Sequence, residues 1–130
     1  MLAMRSALDR RGKAYRDASG EGPASLAVSF DRLPEGAVPQ APQPIFQWVL
    51  PVDAGRQRGY QLLVSGSREM LDRNQGDCWD TRQVRSAQTE QVGYLGKPLQ
   101  KGRTYFWKVR VWDSANRTRD YSEAASFRAD

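Results

Sequence analysis

Histidine is absent from the 130-residue sequence, and cysteine occurs only once, at Cys78. Without histidine, the chain lacks the side chain that most often serves as a general base, a pH switch or a metal ligand. A single cysteine excludes an internal disulfide framework. Cys78 itself is expected to be an inert packing residue, because no basic group at a helix N-terminus is implied beside it. The sequence implies no cofactor and no metal.

Long apolar runs are also missing. Hydrophobic residues make up 39% of the chain, and the mean hydropathy is −0.72. No segment approaches the ~20 apolar residues of a transmembrane helix. At the N-terminus, charged residues interrupt the sequence before an apolar run long enough for the core of a signal peptide can form. We therefore expect a soluble chain with no membrane partner. The sequence does not specify its cellular compartment.

A dense patch of one charge is lacking too. The net charge is +5, but the basic residues are spread along the chain. Nucleic-acid binding needs basic residues clustered on one face, together with a recognisable motif. The charge therefore indicates a solvated surface rich in arginine, and no nucleic-acid partner is predicted.

The most regular feature that is present is the segment 102–113. Its side chains alternate with the period of two that is typical of a half-buried β-strand, and they are mostly aromatic or β-branched. One side is expected to face the core, and the other to be covered by neighbours or to meet a partner. The predicted inward side is Tyr105, Trp107, Val109 and Val111, and the outward side is Thr104, Phe106, Lys108, Arg110 and Trp112.

Shorter segments of the same kind predict five further strands, at 26–30, 45–50, 59–65, 89–94 and 121–127, and the mixed segment 76–84 predicts a turn that enters a sixth short strand. Residues 67–75 suggest a helical turn or an irregular loop, and four prolines make 31–44 a loop or an extended linker. Seven short strands predict an all-β fold, an antiparallel two-sheet sandwich of the immunoglobulin or fibronectin type III kind. We place it at 24–130, after a flexible or weakly helical tail at 1–23.

Tyr105 has the position of a tyrosine corner. In such sandwiches a tyrosine near the start of strand F bonds back to the upstream backbone and fixes the loop before it. Tyr105 follows Leu99 by six residues and Gly102 by three. With Trp107 and Val109, the pattern resembles strand F of fibronectin type III domains, and the alternative is a core aromatic of some other sandwich. The predicted structural residues are Leu99, Tyr105, Trp107, Trp48 and Tyr60.

Five motifs follow one another along the chain: Pro42-Gln43-Pro44-Ile45-Phe46-Gln47-Trp48, Gly59-Tyr60-Gln61-Leu62-Leu63-Val64, Trp79-Asp80, Gly96-Lys97-Pro98-Leu99 and Tyr105-Phe106-Trp107-Lys108-Val109. Their order, within Leu26 to Phe127, is similar to the opening of bacterial α-L-rhamnosidases of glycoside hydrolase family 78. The resemblance implies an N-terminal fibronectin type III-like domain, followed in the parent by other β-domains and a catalytic (α/α) barrel. The parent would be an inverting glycoside hydrolase, and this chain alone would have no activity.

Two positions depart from the pattern of that family. After its Trp-Asp pair the family usually has Ser-Gly-Lys, whereas this chain has Thr81-Arg82-Gln83. A glycine there can adopt a backbone angle that Arg82 would resist. Tyr121 stands where the family tends to have tryptophan.

Glycoside hydrolysis usually needs two carboxyl groups, one of them with a raised pKa. Asp77 and Asp80 are a closely spaced pair outside the tail, but they lie in a turn-like segment where aspartate commonly bonds to the local backbone. No catalytic residue is predicted.

Trp79, Phe106 and Trp112 are the candidates for contact with a neighbouring domain or with a sugar. Phe106 and Trp112 lie on the outward side of the 102–113 strand, and Trp79 lies in a predicted turn. Three exposed aromatic residues would be an unusual apolar patch. They are therefore expected to be covered by neighbouring strands, to meet another domain of a parent glycoside hydrolase, or to bind carbohydrate in an independent binding or adhesion-type module.

Overall fold

The structure is a computed structural model, and it describes residues 20–30 and 41–130. The predicted tail up to residue 19 and most of the proline-rich loop lie outside this part of the chain. The described part contains seven strands, one short helix α1 (Arg68–Asp72) and a 3-10 turn (Val52–Ala54). The strands are β1 (Ala24–Phe30), β2 (Pro44–Val49), β3 (Gly59–Ser65), β4 (Trp79–Asp80), β5 (Val92–Gly93), β6 (Thr104–Trp112) and β7 (Ala125–Arg128).

The strands form two antiparallel sheets. One has the order β1-β2-β5, and the other has the order β4-β3-β6-β7. Strand β6 lies between β3 and β7, and seven consecutive residue pairs join it to β3, from Gly59↔Trp112 to Ser65↔Phe106. The predicted antiparallel sandwich is confirmed. No helix in the described ranges is long and apolar enough to cross a membrane.

Two predicted strands are shorter in the structure, because side chains replace backbone partners. The last strand was expected at 121–127, but β7 begins at Ala125. Before it, the Val109 N–H donates to the hydroxyl of Ser122 (3.1 Å) instead of to a carbonyl, which interrupts the ladder. Near β5, the amide of Gln88 donates to the carbonyls of Glu90 and Gln91, so the segment 88–91 curls on itself.

The core between the sheets is aromatic. Phe46 of β2 packs on Trp107 of β6 with 4.6 Å between ring centroids, and Trp48 packs on Tyr60 at 5.2 Å. The Trp48 indole N–H donates to the buried side chain of Gln57 (3.0 Å). The predicted inward side of β6 is fully buried, which gives the strand the expected register. The core also includes Leu62, Val64, Val92, Tyr94, Leu99, Tyr105, Val109, Val111, Phe127 and Ala129.

The Tyr105 hydroxyl holds the loop that precedes β6. It accepts a hydrogen bond from the backbone N–H of Gln100 at 2.7 Å, directly after the buried Leu99. The Tyr105 ring stacks on Phe127 with 5.9 Å between centroids. Gly102, with a φ of 86°, makes the turn between Gln100 and Tyr105. The geometry is that of a tyrosine corner.

A buried ion pair closes the opposite end of β6. Arg119 and Asp113 are each about 1% exposed at the side chain, and the Arg119 Nε lies 2.9 Å from Asp113 Oδ2. Arg119 also reaches Asp53 Oδ1 (3.1 Å) and the carbonyl of Glu21 (3.3 Å). Burial opposes the charge of Asp113, but hydrogen bonds from the Arg117 N–H and from Arg119 outweigh it and lower the pKa of Asp113. One guanidinium thereby joins three segments that are distant in sequence.

Replacing Tyr105 by Phe keeps the ring and removes the acceptor of the Gln100 N–H. We expect the free energy of unfolding to fall by about 1–2 kcal/mol, because a partly buried donor loses its partner. Urea denaturation measures the change. The matched control is Tyr121→Phe, since no hydrogen bond within the described ranges involves the Tyr121 hydroxyl, and its expected effect is below about 0.5 kcal/mol. Equal losses in the two variants would show that the corner hydroxyl does not hold the loop.

Candidate functional site

The candidate site is the outer face, by which we mean the side of the β4-β3-β6-β7 sheet that is turned away from the core. Alternation along β6 places it opposite Tyr105 and Trp107, which pack into the core. Helix α1 covers one part of this face, where Leu63 and Leu71 are fully buried although they lie outside the main core cluster. The rest of the face presents Gln61, Asp80, Phe106, Arg110, Trp112 and Tyr121, which range from half-buried to partly exposed.

Two cations on β6 are stacked against aromatic rings. The Arg110 guanidinium lies 4.8 Å from the ring centroid of Tyr121 and 5.4 Å from that of Trp112. The Lys108 ammonium lies 4.6 Å from the Tyr121 centroid. Contacts of this kind contribute about 0.5–1 kcal/mol at exposed sites and more where water is excluded. Tyr121 therefore sits over both cations and covers the middle of the outer face.

Hydrogen bonds continue this layer across the sheet. Gln61 of β3 accepts from Arg110 Nε (3.0 Å) and donates to Asp80 of β4 (2.9 Å). Lys108 is 8% exposed, and its ammonium donates to Asn74, just after α1, at 2.6 Å. Burial raises the pKa of Tyr121; the nearby Arg110 opposes this rise and Asp80 adds to it. The side chains of the outer face are thus held in place by one another.

The structure does not bring the three predicted contact residues together. Trp79 lies on strand β4 and pairs with Val64, which also pairs with Trp107. Residues paired across a sheet point to the same side, so the Trp79 ring faces the core edge. It packs on Tyr94 (5.2 Å) and Phe46 (6.1 Å). Trp79 therefore lies on a strand rather than in the predicted turn, and its ring is partly covered by neighbouring side chains, which is one of the alternatives expected for it. It does not lie on the outer face with Phe106 and Trp112.

Phe106 and Trp112 do share the outer face, but at opposite ends of it. Six residues of extended chain separate them, a distance of about 20 Å. Phe106 lies between Ser65 and Ser126, and Trp112 lies beside Gly59. Both are half-buried by their own sheet. A single sugar ring could not touch both side chains, whereas a protein surface could.

Sequence reasoning missed Tyr121 and Gln61. Tyr121 had been noted only as a replacement for tryptophan, and it was placed in a strand rather than over the cations. Gln61 lies on the outward side of β3, directly opposite Arg110. The alternation within 59–65 could have identified it as an outward residue beside the long strand.

The turn after β4 is strained at Arg82. Its φ of 56° is left-handed, a region that costs an L-residue roughly 1–2 kcal/mol. Local hydrogen bonds hold it there: the Arg82 N–H donates to Asp80 Oδ1 (2.8 Å), and the Thr81 hydroxyl donates to the Arg82 carbonyl (2.8 Å). Thr81 also accepts from the Leu62 N–H (2.9 Å). The turn expected from a glycine at this position is therefore formed with arginine instead.

Asp77 does not have the raised pKa that a general acid needs, and Asp80 is bound to its neighbours. Asp77 accepts the Gly66 N–H at 3.0 Å. Burial tends to raise its pKa, but hydrogen bonds from Ser65 and Gly66 outweigh this and lower it. Asp80 is engaged with Gln61 and Arg82. Inverting glycoside hydrolysis needs one carboxyl with a raised pKa.

Comparison with known proteins gives a consistent result. A family profile described as "Rha78A-like, N-terminal immunoglobulin domain" matches residues 26–129. An α-L-rhamnosidase of Formosa agariphila is 34% identical over 90 residues, which are 68% of this chain and 10% of that protein. The chain thus spans about a tenth of the length of the curated relatives it matches.

Solved structures agree. An α-L-rhamnosidase from Dictyoglumus thermophilum has a TM-score of 0.70 at 32% identity, covering 83% of this chain and 12% of that one. An α-L-rhamnosidase of Streptomyces avermitilis, solved with L-rhamnose, has a TM-score of 0.68 at 31% identity, covering 83% of this chain and 10% of that one.

Replacing Arg82 by Gly should raise the free energy of unfolding by about 1 kcal/mol, because glycine adopts the left-handed angle without a steric penalty. The lost ion pair with Asp80 is long (3.7 Å) and exposed, so its removal costs little. Urea denaturation measures the change. The control is Gln83→Gly, at an exposed neighbour without a positive φ, which should lower stability. If Arg82→Gly lost as much stability as the control, the left-handed backbone angle at Arg82 would not be strained.

Proposed function

The chain belongs to the Rha78A-like N-terminal immunoglobulin domain family, and we propose that it is a non-catalytic accessory domain of an α-L-rhamnosidase-like glycoside hydrolase. In that protein it packs against the neighbouring domains and orients them. The observation that carries the proposal is the outer face, a broad sheet surface on which aromatic and cationic side chains are partly covered. The small share of each relative that the chain spans supports the same role.

The composition of the outer face suits a contact between proteins. Aromatic residues and arginine are enriched in interface cores relative to the rest of a protein surface. Phe106, Trp112 and Tyr121 leave ring surface accessible, while Arg110 offers a planar cation between two of the rings. A neighbouring domain that covered this face would remove apolar area from water, which favours docking at about 25 cal/mol per Å².

The outer face is also ordered before any partner arrives. Gln61 fixes Arg110 from one side and the aromatic rings fix it from the others. Fixing a flexible arginine at an interface normally costs conformational entropy, about 0.5–1.5 kcal/mol for a side chain of this kind. Arg110 is already fixed within the domain, so docking would not add this entropic cost. A rigid face can therefore set the angle of a neighbour as well as bind it.

A catalytic role finds no support in Asp77 and Asp80, the pair of carboxyl groups considered for it. The pKa of Asp77 is lowered, so that group is ionised at neutral pH and cannot donate a proton efficiently. Asp80 holds a turn and a glutamine. We assign the hydrolytic step to another domain of the parent protein.

An independent carbohydrate-binding module is the second candidate. One observation favours it, since Trp112 and Tyr121 flank polar side chains on a single surface, as in many sugar sites. The polar groups are nevertheless bonded to each other, so a sugar hydroxyl would have to replace the bond between Gln61 and Asp80 or that between Gln61 and Arg110. That exchange gains little free energy.

The test uses the isolated chain with p-nitrophenyl α-L-rhamnoside and, separately, with L-rhamnose while tryptophan fluorescence is followed. We expect no turnover above buffer and no saturable fluorescence change. Turnover would overturn the non-catalytic assignment. Saturable binding of L-rhamnose that is lost in Trp112→Ala and kept in Val52→Ala, an exposed apolar control outside the outer face, would replace the docking role with the binding-module role.

A further inference from the structure

A pocket of about 650 Å³ opens at the end of the sandwich where β3 begins and β6 ends. Its walls come from three segments that are distant in sequence: the turn before β3, the segment after the strained Arg82, and the turn after β6. Most of its lining residues carry polar side chains, among them Arg56, Arg58, Arg85, Gln83, Ser86 and Asn116. The pocket adjoins the Trp112 end of the outer face, but it shares no lining residue with that face.

Hydrogen bonds preform the walls of the pocket. Tyr60 and Val84 exchange backbone hydrogen bonds of 2.9 and 2.8 Å, which fix the segment after β4 against β3. The buried amide of Gln57 donates to the carbonyls of Ser86 (2.9 Å) and Gln88 (2.8 Å). The Arg58 N–H donates to the carbonyl of Trp112 (2.8 Å). A ligand would therefore meet a cavity whose backbone is already in place.

The pocket has an excess of positive charge. Arg56, Arg58 and Arg85 are exposed, and no carboxylate is among the lining residues. Within residues 20–30 and 41–130, none of these three guanidinium groups takes part in an ion pair. Asp53, three residues before Arg56, and Asp113, directly before Ser114, both form ion pairs with the buried Arg119. Three like charges around one cavity repel each other, and an anion would relieve that repulsion.

We propose that this pocket binds an anionic sugar, a ring that carries a carboxylate or a sulfate group. Guanidinium groups recognise both anions through paired N–H donors. Gln83, Ser86 and Asn116 offer amide and hydroxyl groups that can bond to ring hydroxyls. The volume is within the usual range of small-ligand sites, and it is much larger than a single tetrahedral ion requires. This site goes beyond the accessory role and does not depend on it.

The probes are D-glucuronate and D-glucose 6-sulfate, with D-glucose, L-rhamnose and inorganic sulfate for comparison. Binding to the isotope-labelled chain is followed at low ionic strength by two-dimensional amide NMR. We expect at least one anionic sugar to bind saturably, with shifts at 56–58, 83–87 and 114–116. It should bind about tenfold more tightly than either neutral sugar or inorganic sulfate, since both the charge and the ring contribute.

Variants localise the site. Arg58→Gln and Arg85→Gln should each weaken the anionic sugar about tenfold, as expected for the loss of one charge-assisted pair. Arg128→Gln removes the same charge from an exposed position on β7 outside the pocket, and it should leave the affinity within about twofold. All three positions are exposed, and the unchanged remainder of each NMR spectrum verifies the fold.

Three results would overturn the site. The first is no saturable binding of either anionic sugar. The second is equal weakening in Arg128→Gln, which would indicate attraction by net charge alone. The third is inorganic sulfate binding as tightly as the sugars, which would reduce the pocket to a simple anion site. None of these results bears on docking through the outer face, so the two proposals fail separately.

Discussion

The alternation of β6 is the constraint on which the rest of the structure depends. This strand is the longest in the described part of the chain, and it lies between β3 and β7 with a partner on each edge. Its inward side packs on Phe46 and Phe127, and its outward side holds the cations beneath Tyr121. A slip of one residue would exchange the two sides and bury two cations in the core. The core and the candidate site are therefore set by a single register.

Both ends of β6 are fixed by polar contacts rather than by apolar packing alone. At its start, the Tyr105 hydroxyl holds the loop at Gln100, and at its end the pair of Arg119 and Asp113 ties the following turn to the segment around Asp53. Breaking a buried pair by removing one partner typically costs about 3–5 kcal/mol.

The sequence predicted best those elements whose pattern is complete within one segment. The strand 59–65 was predicted with the bounds that the structure has, and the two sides of β6 were assigned correctly, because alternation alone determines them. The shorter β7 depends on the Ser122 hydroxyl replacing a backbone carbonyl, which no periodicity reveals. The resemblance to a family with glycine at position 82 led us to expect that Arg82 would resist the glycine angle, whereas Arg82 itself adopts a left-handed one.

The candidate site was predicted in part, for a related physical reason. Phe106 and Trp112 follow from alternation along one strand, whereas the direction of Trp79 is set by its pairing with Val64 on another strand. Tyr121 lies over Lys108 and Arg110 only because the irregular segment before β7 returns along β6. The arginine pocket likewise combines three segments that are far apart in sequence. Contacts that depend on tertiary pairing cannot be read from local pattern.

The central claim is that the outer face of the β4-β3-β6-β7 sheet docks against another domain of the parent protein. Hydroxyl-radical footprinting with mass spectrometry measures it directly, by comparing the isolated chain with the same domain within the intact gene product. We predict that Phe106, Trp112 and Tyr121 are labelled in the isolated chain and protected several-fold in the intact protein, while the exposed Leu95 is labelled equally in both. Equal labelling of the three aromatic residues in the two proteins would contradict the claim.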